Sequence, residues 1–182
     1  CYHAIDSLSQ LAARYNIPNE YDKMMSSIGA EGTNAYTSND VTCYVENIPS
    51  NEVDNWLKVE SDRFQNMVIR GFHTELEAVY EEYNMGLSQD GNKLFTALMA
   101  KLFPTHPYGT QTTIGRGEHL KNPSITNIKN YFKRYYVPNN VAICMAGDFN
   151  PDEVIAKIDH YFGQWKPSKN LTSPQYAPMA PI

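Results

Sequence analysis

Two stretches of β-strand character interrupt a chain whose apolar residues otherwise recur at helical spacing. The first runs from Gly32 to Ile48, where β-branched and aromatic residues flank the turn pair Asn39-Asp40 and predict a hairpin. The second is the apolar run 141–146, which predicts a buried strand. Strands set among helices without regular alternation favour an α+β fold, in which helices pack on one face of a mostly antiparallel or mixed sheet.

Helical spacing and capping residues predict the helices around these strands. Ser50 and Ser124 are expected N-caps, Asn150-Pro151 is expected to start the last helix, and Gly29 is expected to end an early one. The predicted helices cover approximately residues 5–12, 21–28, 50–67, 74–87, 93–103, 124–135 and 151–162.

The composition fits one compact domain. Of the 182 residues, 42% are hydrophobic and 19% are charged, a balance that excludes a disordered or collagen-like chain. A net charge of −5 without any cluster of Lys and Arg argues against a nucleic-acid partner. No apolar run approaches the ~20 residues of a membrane-spanning helix. Cys43 and Cys144 lie in apolar, strand-like surroundings, so we expect small buried hydrophobic residues rather than disulfides.

The segment from His73 to Tyr83 is the most informative stretch for chemistry because it is rich in glutamate. On a helix, Glu75 and Glu82 lie two turns apart on a face shared with the small residue Ala78. Two stacked carboxylates could ligate a metal ion or hold another ligand in place. Spacing alone favours the plainer interpretation of a solvated charged helix face.

The histidines do not complete a metal site in the sequence. They lie far apart, and neither H-x-x-E-H nor H-E-x-x-H occurs. His73 and Glu77 are four residues apart, but Glu77 is expected on the solvated side of the helix, so a structural or capping role for His73 is the better interpretation. The sequence also lacks the G-x-S-x-G, Walker and dinucleotide-binding motifs.

Several short motifs follow one another along the chain. They lie at residues 19–21, 29–38, 75–82, 136–140 and 146–149. They include the core N-A-Y-T, the pattern E-x-x-x-V-x-x-E, the run Y-x-P-N-N and a G-D turn. Together they resemble the pitrilysin/insulinase family of zinc peptidases, whose relatives include the mitochondrial processing peptidases. The resemblance covers about residues 19–165.

The resemblance implies roles for individual residues. Glu82 matches the carboxylate that completes the family's zinc site, and Glu75 matches the acidic residue that supports it. Asn34 and Ala35 match the edge-strand positions that hold an extended peptide by main-chain pairing. The implied cofactor is zinc. The implied partners are a peptide or unfolded protein substrate and a second homologous peptidase domain or subunit. We expect the cell envelope, the periplasm or the extracellular space as the compartment.

The chain departs from the family where the zinc-binding histidines are expected. In the family, H-x-x-E-H lies on the helix before the first of these motifs, and here residues 5–15 hold no histidine. We therefore expect residues 1–18 to belong to an insertion, residues 19–166 to form a peptidase-like domain incomplete at its N-terminus, and residues 167–182 to form a Pro-rich linker. The missing motif is expected upstream of Cys1.

Three interpretations follow from these observations. The first is a zinc metalloendopeptidase that hydrolyses peptides bound in extended form, with the present chain as an inactive fragment of its N-terminal domain. The second is a non-catalytic family member that serves as an assembly or peptide-binding subunit. The third is an unrelated α+β binding domain, which an exposed Glu82 without an adjoining cavity would favour.

Overall fold

The computed structural model describes residues 2–121 and 124–178, and these residues form nine α-helices and one two-stranded sheet. The helices are α1 (Tyr2–Ala13), α2 (Glu20–Ser27), α3 (Val53–Gln65), α4 (Phe72–Ser88), α5 (Asp90–Leu102), α6 (Pro107–Thr110), α7 (Gly117–Lys121), α8 (Ile125–Tyr135) and α9 (Pro151–Phe162). The strands are β1 (Glu31–Thr37) and β2 (Thr42–Asn47), and single 3-10 turns cover Ser50–Glu52 and Pro138–Asn140. The α+β prediction is confirmed.

Capping side chains set the starts of the last two long helices, as the sequence predicts. The Asn150 carboxamide oxygen accepts hydrogen bonds from the amides of Asp152 and Glu153, at 3.0 and 3.5 Å. The Ser124 hydroxyl accepts one from the amide of Asn127 at 3.2 Å. Both side chains satisfy amides that the first helical turn leaves without an internal partner. Ser50 does not cap α3, because it lies within the 3-10 turn that precedes that helix.

The predicted hairpin is present and follows directly from α2. Gly29 has a φ of 80°, which lets the chain leave α2 and enter β1. A side chain there would also crowd the loop after β2, since a Cβ would lie 3.1 Å from Cγ of Pro49. β1 and β2 pair antiparallel, with Asn34 opposite Val45 and Ala35 opposite Tyr44.

The core joins α3 to α9. Val53 and Leu57 of α3 and Val154 of α9 are buried together, which is the burial that the spacing of apolar residues predicts for both helices. Partly buried side chains surround this centre, namely Ile48, Trp56, Met145, Phe149, Ile158, Tyr161 and Phe162. Because Ile48 directly follows β2, the hairpin is fixed to the helical layer at this end.

The predicted strand 141–146 is wrong as a strand. The segment follows the 3-10 turn at Pro138–Asn140 and begins extended, since Val141 has φ −125° and ψ 139°. No described residue pairs with it in a β-ladder. Its residues are alternately half-buried and exposed, which is the pattern of a strand with one covered face. The predicted buried strand is therefore not formed, because the described residues neither pair with the segment nor cover every second one of its side chains.

Neither described cysteine is fully buried. Cys43 is half-buried on β2, Cys144 is exposed on the segment 141–146, and both are free thiols. The expectation that they are buried core residues is wrong, because successive side chains of an extended segment point to opposite faces, and the described residues cover neither cysteine side chain fully. None of the described helices is long and apolar enough to span a membrane.

The segment after α9 lacks regular secondary structure but contacts the domain. The side chain of Asn139 donates to the carbonyl of Ser168 and accepts from its amide, both at 3.0 Å. Arg134 donates to the hydroxyl of Thr172 at 3.2 Å. The ring of Tyr176 packs edge-on against His106, with centroids 4.5 Å apart. These contacts hold the described part of the segment against the helices before it.

Candidate functional site

Glu75 and Glu82 lie on α4 as predicted, one near its start and the other two turns later. Both carboxylates are exposed, and no described residue forms a hydrogen bond or ion pair with either. Two turns of helix separate them by about 10 Å along the axis. Their face is also open, because a Cβ built on Gly86 would meet only the side-chain amide of Asn92 at 3.6 Å. The structure places these carboxylates on one accessible face and does not bring them together.

The residues present do not form a zinc site. Among residues 2–121 and 124–178 no group of three or more His, Cys, Asp or Glu side chains is close enough to share a metal ion. A carboxylate oxygen such as that of Glu82 is an acceptable zinc ligand, but protein zinc sites use three or four ligands from His, Cys, Asp or Glu side chains. Of the other predicted candidates, His73 packs against Phe72 with ring centroids 5.4 Å apart. The described part of the chain therefore lacks the set of ligands that a protein zinc site needs.

Asn34 and Ala35 lie on β1, which, like β2, has one edge that no described strand covers. β2 is the neighbour of β1 on one side, and no described strand pairs with its other side. The Ser38 amide donates to the Val41 carbonyl at 2.8 Å, which fixes the alternation of the antiparallel ladder. Hydrogen-bonded and non-hydrogen-bonded pairs alternate along the ladder from the pair Ser38 and Val41. Asn34 and Val45 are therefore a hydrogen-bonded pair, and Ala35 and Tyr44 are not.

The alternation separates the roles of the two predicted residues. The main-chain groups of Asn34 point to β2, whereas those of Ala35 and Thr37 point away from it, to the open edge. The Ala35 amide is met there by the side-chain oxygen of Asn34, at 2.8 Å. An incoming strand would pair with Ala35 and Thr37 and displace the Asn34 carboxamide from the Ala35 amide. All three residues are exposed.

The tip of the hairpin is tied to the loop that follows α5. The Tyr108 hydroxyl donates to the Asp40 carboxylate at 2.5 Å, and this bond raises the pKa of the tyrosine. The ring of Tyr108 packs against Phe103 and His106, with centroids 5.6 and 4.4 Å away. His106 accepts the amide of Tyr108 on Nδ1 and so caps the short helix α6. The two-residue turn is thereby fixed relative to the helices.

A buried polar cluster at the opposite end of β2 was not predicted from the sequence. The hydroxyl of Tyr21 on α2 contacts carboxylate oxygens of both Glu46 and Glu60, the latter at 2.8 Å. The indole N–H of Trp56 donates to the second oxygen of Glu46. Arg63 donates to Glu60 through Nε and Nη2, the shorter bond being 2.5 Å. The side chains of Glu46 and Glu60 are only 7% and 6% exposed.

The guanidinium of Arg63 also stacks on aromatic rings. It lies 4.4 Å from the ring centroid of Tyr21, 4.6 Å from that of Tyr44 and 5.2 Å from that of Phe64, within the range of cation–π attraction. Beside it is an apolar cavity of about 260 Å³ between β2, α3 and α8. The sequence offered no local signal for this cluster, because Glu46 stands between Val45 and Asn47 and its partners Tyr21 and Trp56 lie on helices.

Sequence comparison relates the chain to peptidases. Residues 124–182 match the family described as the peptidase M16 inactive domain. An uncharacterized zinc protease of Mycobacterium leprae is 27% identical over 145 residues, which are 76% of this chain and 31% of that protein. A probable mitochondrial-processing peptidase subunit beta of Schizosaccharomyces pombe is 28% identical over 142 residues, which are 77% of this chain and 31% of that protein. The chain thus spans about a third of the length of these relatives.

Structural comparison identifies the same fold in solved proteases. A protease from Helicobacter pylori superposes with a TM-score of 0.78 at 24% identity, over 86% of this chain and 38% of that one. The first half of the periplasmic protease PqqL from Escherichia coli superposes with a TM-score of 0.77 at 18% identity, over 87% of this chain and 36% of that one. At these identities the likeness establishes the fold.

Proposed function

We propose that the chain is a domain of the peptidase M16 family that binds peptides in extended form as part of a zinc metalloendopeptidase; its motifs, the family match of residues 124–182 and the similar proteases support this. The C-terminal third of the chain is of the family's inactive-domain type. The family match and the fold argue against the third interpretation, an unrelated binding domain, although Glu82 is exposed as that interpretation expected.

The observation that carries the proposal is the open edge of β1. Ala35 and Thr37 direct their main-chain donors and acceptors outward, and their side chains are exposed. An extended peptide can add to such an edge as a third strand. Main-chain pairing is independent of side-chain identity, so this mode accepts varied sequences. The bond between Tyr108 and Asp40 keeps the hairpin tip in place and lowers the entropic cost of binding.

We propose that this chain alone does not hydrolyse the peptide. One carboxylate ligand cannot hold zinc in the arrangement that activates water, and among the described residues no three His, Cys, Asp or Glu side chains lie close enough to share a metal ion. The remaining donors would come from an H-x-x-E-H motif elsewhere in the full-length protein. In this proposal Glu82 is the ligand that the chain contributes, and Glu75 supports it.

The same proposal includes the domain boundaries of the chain, its partner domain and its compartment. Residues 1–18 would be an insertion, 19–166 the peptidase-like domain, and 167–182 a linker to a second homologous domain or subunit. Two of the similar proteins are described as a subunit of a processing peptidase and as half of a periplasmic protease. By this analogy we place the chain in a two-part enzyme of the periplasm or cell envelope.

A non-catalytic peptide-binding or assembly subunit is the second candidate. It is favoured by the match of residues 124–182 to an inactive domain. The sequence of the full-length protein separates the two candidates, since the peptidase requires H-x-x-E-H and the non-catalytic subunit does not. Purified full-length protein should then hydrolyse a denatured protein in a zinc-dependent manner in the first case only.

Peptide binding can be tested on the chain by NMR. A proline-free decapeptide rich in valine and threonine is titrated into the 15N-labelled chain. We expect the amide resonances of Ala35 and Thr37 to shift, and those amides to become protected from hydrogen exchange. The amides of Cys43 and Val45, which face β1, serve as the control and should change less. Shifts confined to residues away from β1 would overturn the proposed binding mode.

A further inference from the structure

The contacts around Tyr21 leave one hydrogen-bond donor short. A tyrosine hydroxyl has one hydrogen and can donate to one carboxylate. Here oxygens of both Glu46 and Glu60 contact the hydroxyl oxygen, and the side chains of both glutamates are almost fully buried. A proton on one of the two carboxyl groups would supply the missing donor and remove one of two like charges from a buried site.

The partners identify which glutamate carries the proton. Glu60 accepts two bonds from Nε and Nη2 of Arg63, at 3.1 and 2.5 Å to the same oxygen, and a paired guanidinium keeps a carboxylate ionised. Glu46 is 3.9 Å from Arg63 and receives its other contact from the neutral indole of Trp56. Burial and the neighbouring charge of Glu60 raise the pKa of Glu46. Burial also raises the pKa of Glu60, against the opposing effect of Arg63.

We propose that Glu46 is a neutral carboxylic acid in the folded protein and that its proton, donated to Tyr21, locks the end of β2 onto α2 and α3. The ionisable groups that face Glu46 are Tyr21 from α2 and Glu60 and Arg63 from α3, among the described residues. The lock joins the strand pair to the helical layer at the end opposite the anchor between Tyr108 and Asp40. It does not depend on peptide binding.

The sign of the pH effect follows from the direction of the shift. The pKa of Glu46 is higher in the folded chain than in the unfolded chain, where a glutamate titrates near about 4.3. Folding therefore takes up a proton, and the stabilisation is fully present below the unfolded pKa. It is lost as the pH rises through the folded pKa. Above that value a second negative charge lies beside Glu60 and opposes the contact between hairpin and helices.

The titration of Glu46 itself is the direct test. The chain is labelled with 13C at the glutamate carboxyl carbons, and the Glu46 resonance is assigned by its loss in Glu46→Gln. We expect its midpoint to lie at least one pH unit above that of Glu31, an exposed glutamate on the same hairpin. A midpoint within half a unit of that of Glu31 would overturn the proposal.

Unfolding measurements give a second, independent readout. Urea unfolding of the wild type and of Glu46→Gln is compared at pH 5 and pH 8, with Glu31→Gln as the matched control. The amide of Glu46→Gln stays neutral at both pH values, so the wild type should lose stability relative to this variant as the pH rises. We expect a change of roughly tenfold or more in the ratio of their unfolding constants. The control should show no such change. A pH-independent ratio for Glu46→Gln contradicts the proposal, and the NMR titration decides it if that variant does not fold.

Discussion

The hydroxyl oxygens of Tyr44 and Tyr136 lie 2.7 Å apart and join β2 to the residue that follows α8. Both rings contact the ring of Phe64, at centroid distances of 5.5 and 5.9 Å. Tyr136 also stacks on Phe132, with centroids 4.3 Å apart. The contact between the hydroxyls of Tyr44 and Tyr136 connects the hairpin to a part of the chain about 90 residues later. Burial and the bond to Tyr44 raise the pKa of Tyr136 well above its usual range.

Tyr136→Phe should destabilise the fold by about 1 kcal/mol. The substitution keeps the ring and its stacking but removes one hydrogen bond, and such a bond contributes roughly that much net. Tyr131→Phe is the matched control, because Tyr131 lies on α8, is 60% exposed and its hydroxyl forms no hydrogen bond with a described residue. Urea unfolding of both variants measures the difference. Equal stabilities of the two variants would show that the bond contributes nothing.

The raised pKa of Tyr136 gives a separate expectation for alkaline titration. In the folded chain this phenol should remain protonated when exposed tyrosines ionise near pH 10. Absorbance of tyrosinate near 295 nm should therefore reach its full value only once the chain unfolds, and the missing increment should be smaller in Tyr136→Phe, since the pKa values of Tyr108 and Tyr36 are also raised. A wild-type curve that is complete at pH 11 while the chain stays folded contradicts the burial of this hydroxyl.

Arg63→Lys should cost about 2–4 kcal/mol, although it keeps the charge. Arg63 pairs with buried Glu60 through two nitrogens and stacks on three rings, and an ammonium group reproduces neither arrangement. Arg70→Lys is the control, since Arg70 is half exposed and lies 3.8 Å from a half-exposed Glu20. It should cost less than about 0.5 kcal/mol. Similar losses in both variants would remove the special role assigned to Arg63.

Metal titration tests whether this chain contributes only Glu82 to a zinc site that other residues of the full-length protein complete. We expect isothermal titration of the chain with zinc to show no tight stoichiometric binding, and Glu82→Gln to give the same curve as the wild type. In the full-length protein, the same substitution should abolish zinc retention, while Glu77→Gln, a change at an exposed glutamate on the same helix, should not. Peptide hydrolysis by the 182-residue chain that chelation abolishes would contradict this account.

The sequence was sufficient for features encoded within a few residues. The start of α9 follows from Asn150-Pro151, and the path between α2 and β1 follows from Gly29, because capping and a positive φ are local properties. The hairpin is equally local, since the turn pair Asn39-Asp40 sets its register.

Features that depend on distant partners were not predicted. Whether 141–146 forms a strand depends on a neighbour, and periodicity reports only which side chains share a face. The buried pair of Glu46 and Glu60 depends on Tyr21, 25 residues before Glu46, and nothing near either glutamate marks it as buried. The positions of Glu75 and Glu82 on α4 were predictable, because helical spacing is a local property. A ligand that contacts both carboxylates would depend on distant residues and was not predictable.

The central claim is that the open edge of β1 holds a peptide by main-chain pairing, and a backbone N-methyl scan of the bound peptide tests it most directly. Each variant of the decapeptide carries one N-methyl group on a backbone nitrogen, which removes a hydrogen-bond donor without changing a side chain. We predict that binding to the chain weakens roughly tenfold at every second position and less than about twofold at the positions between, because alternate amides face β1. Equal effects at all positions, or none at any, would contradict the account.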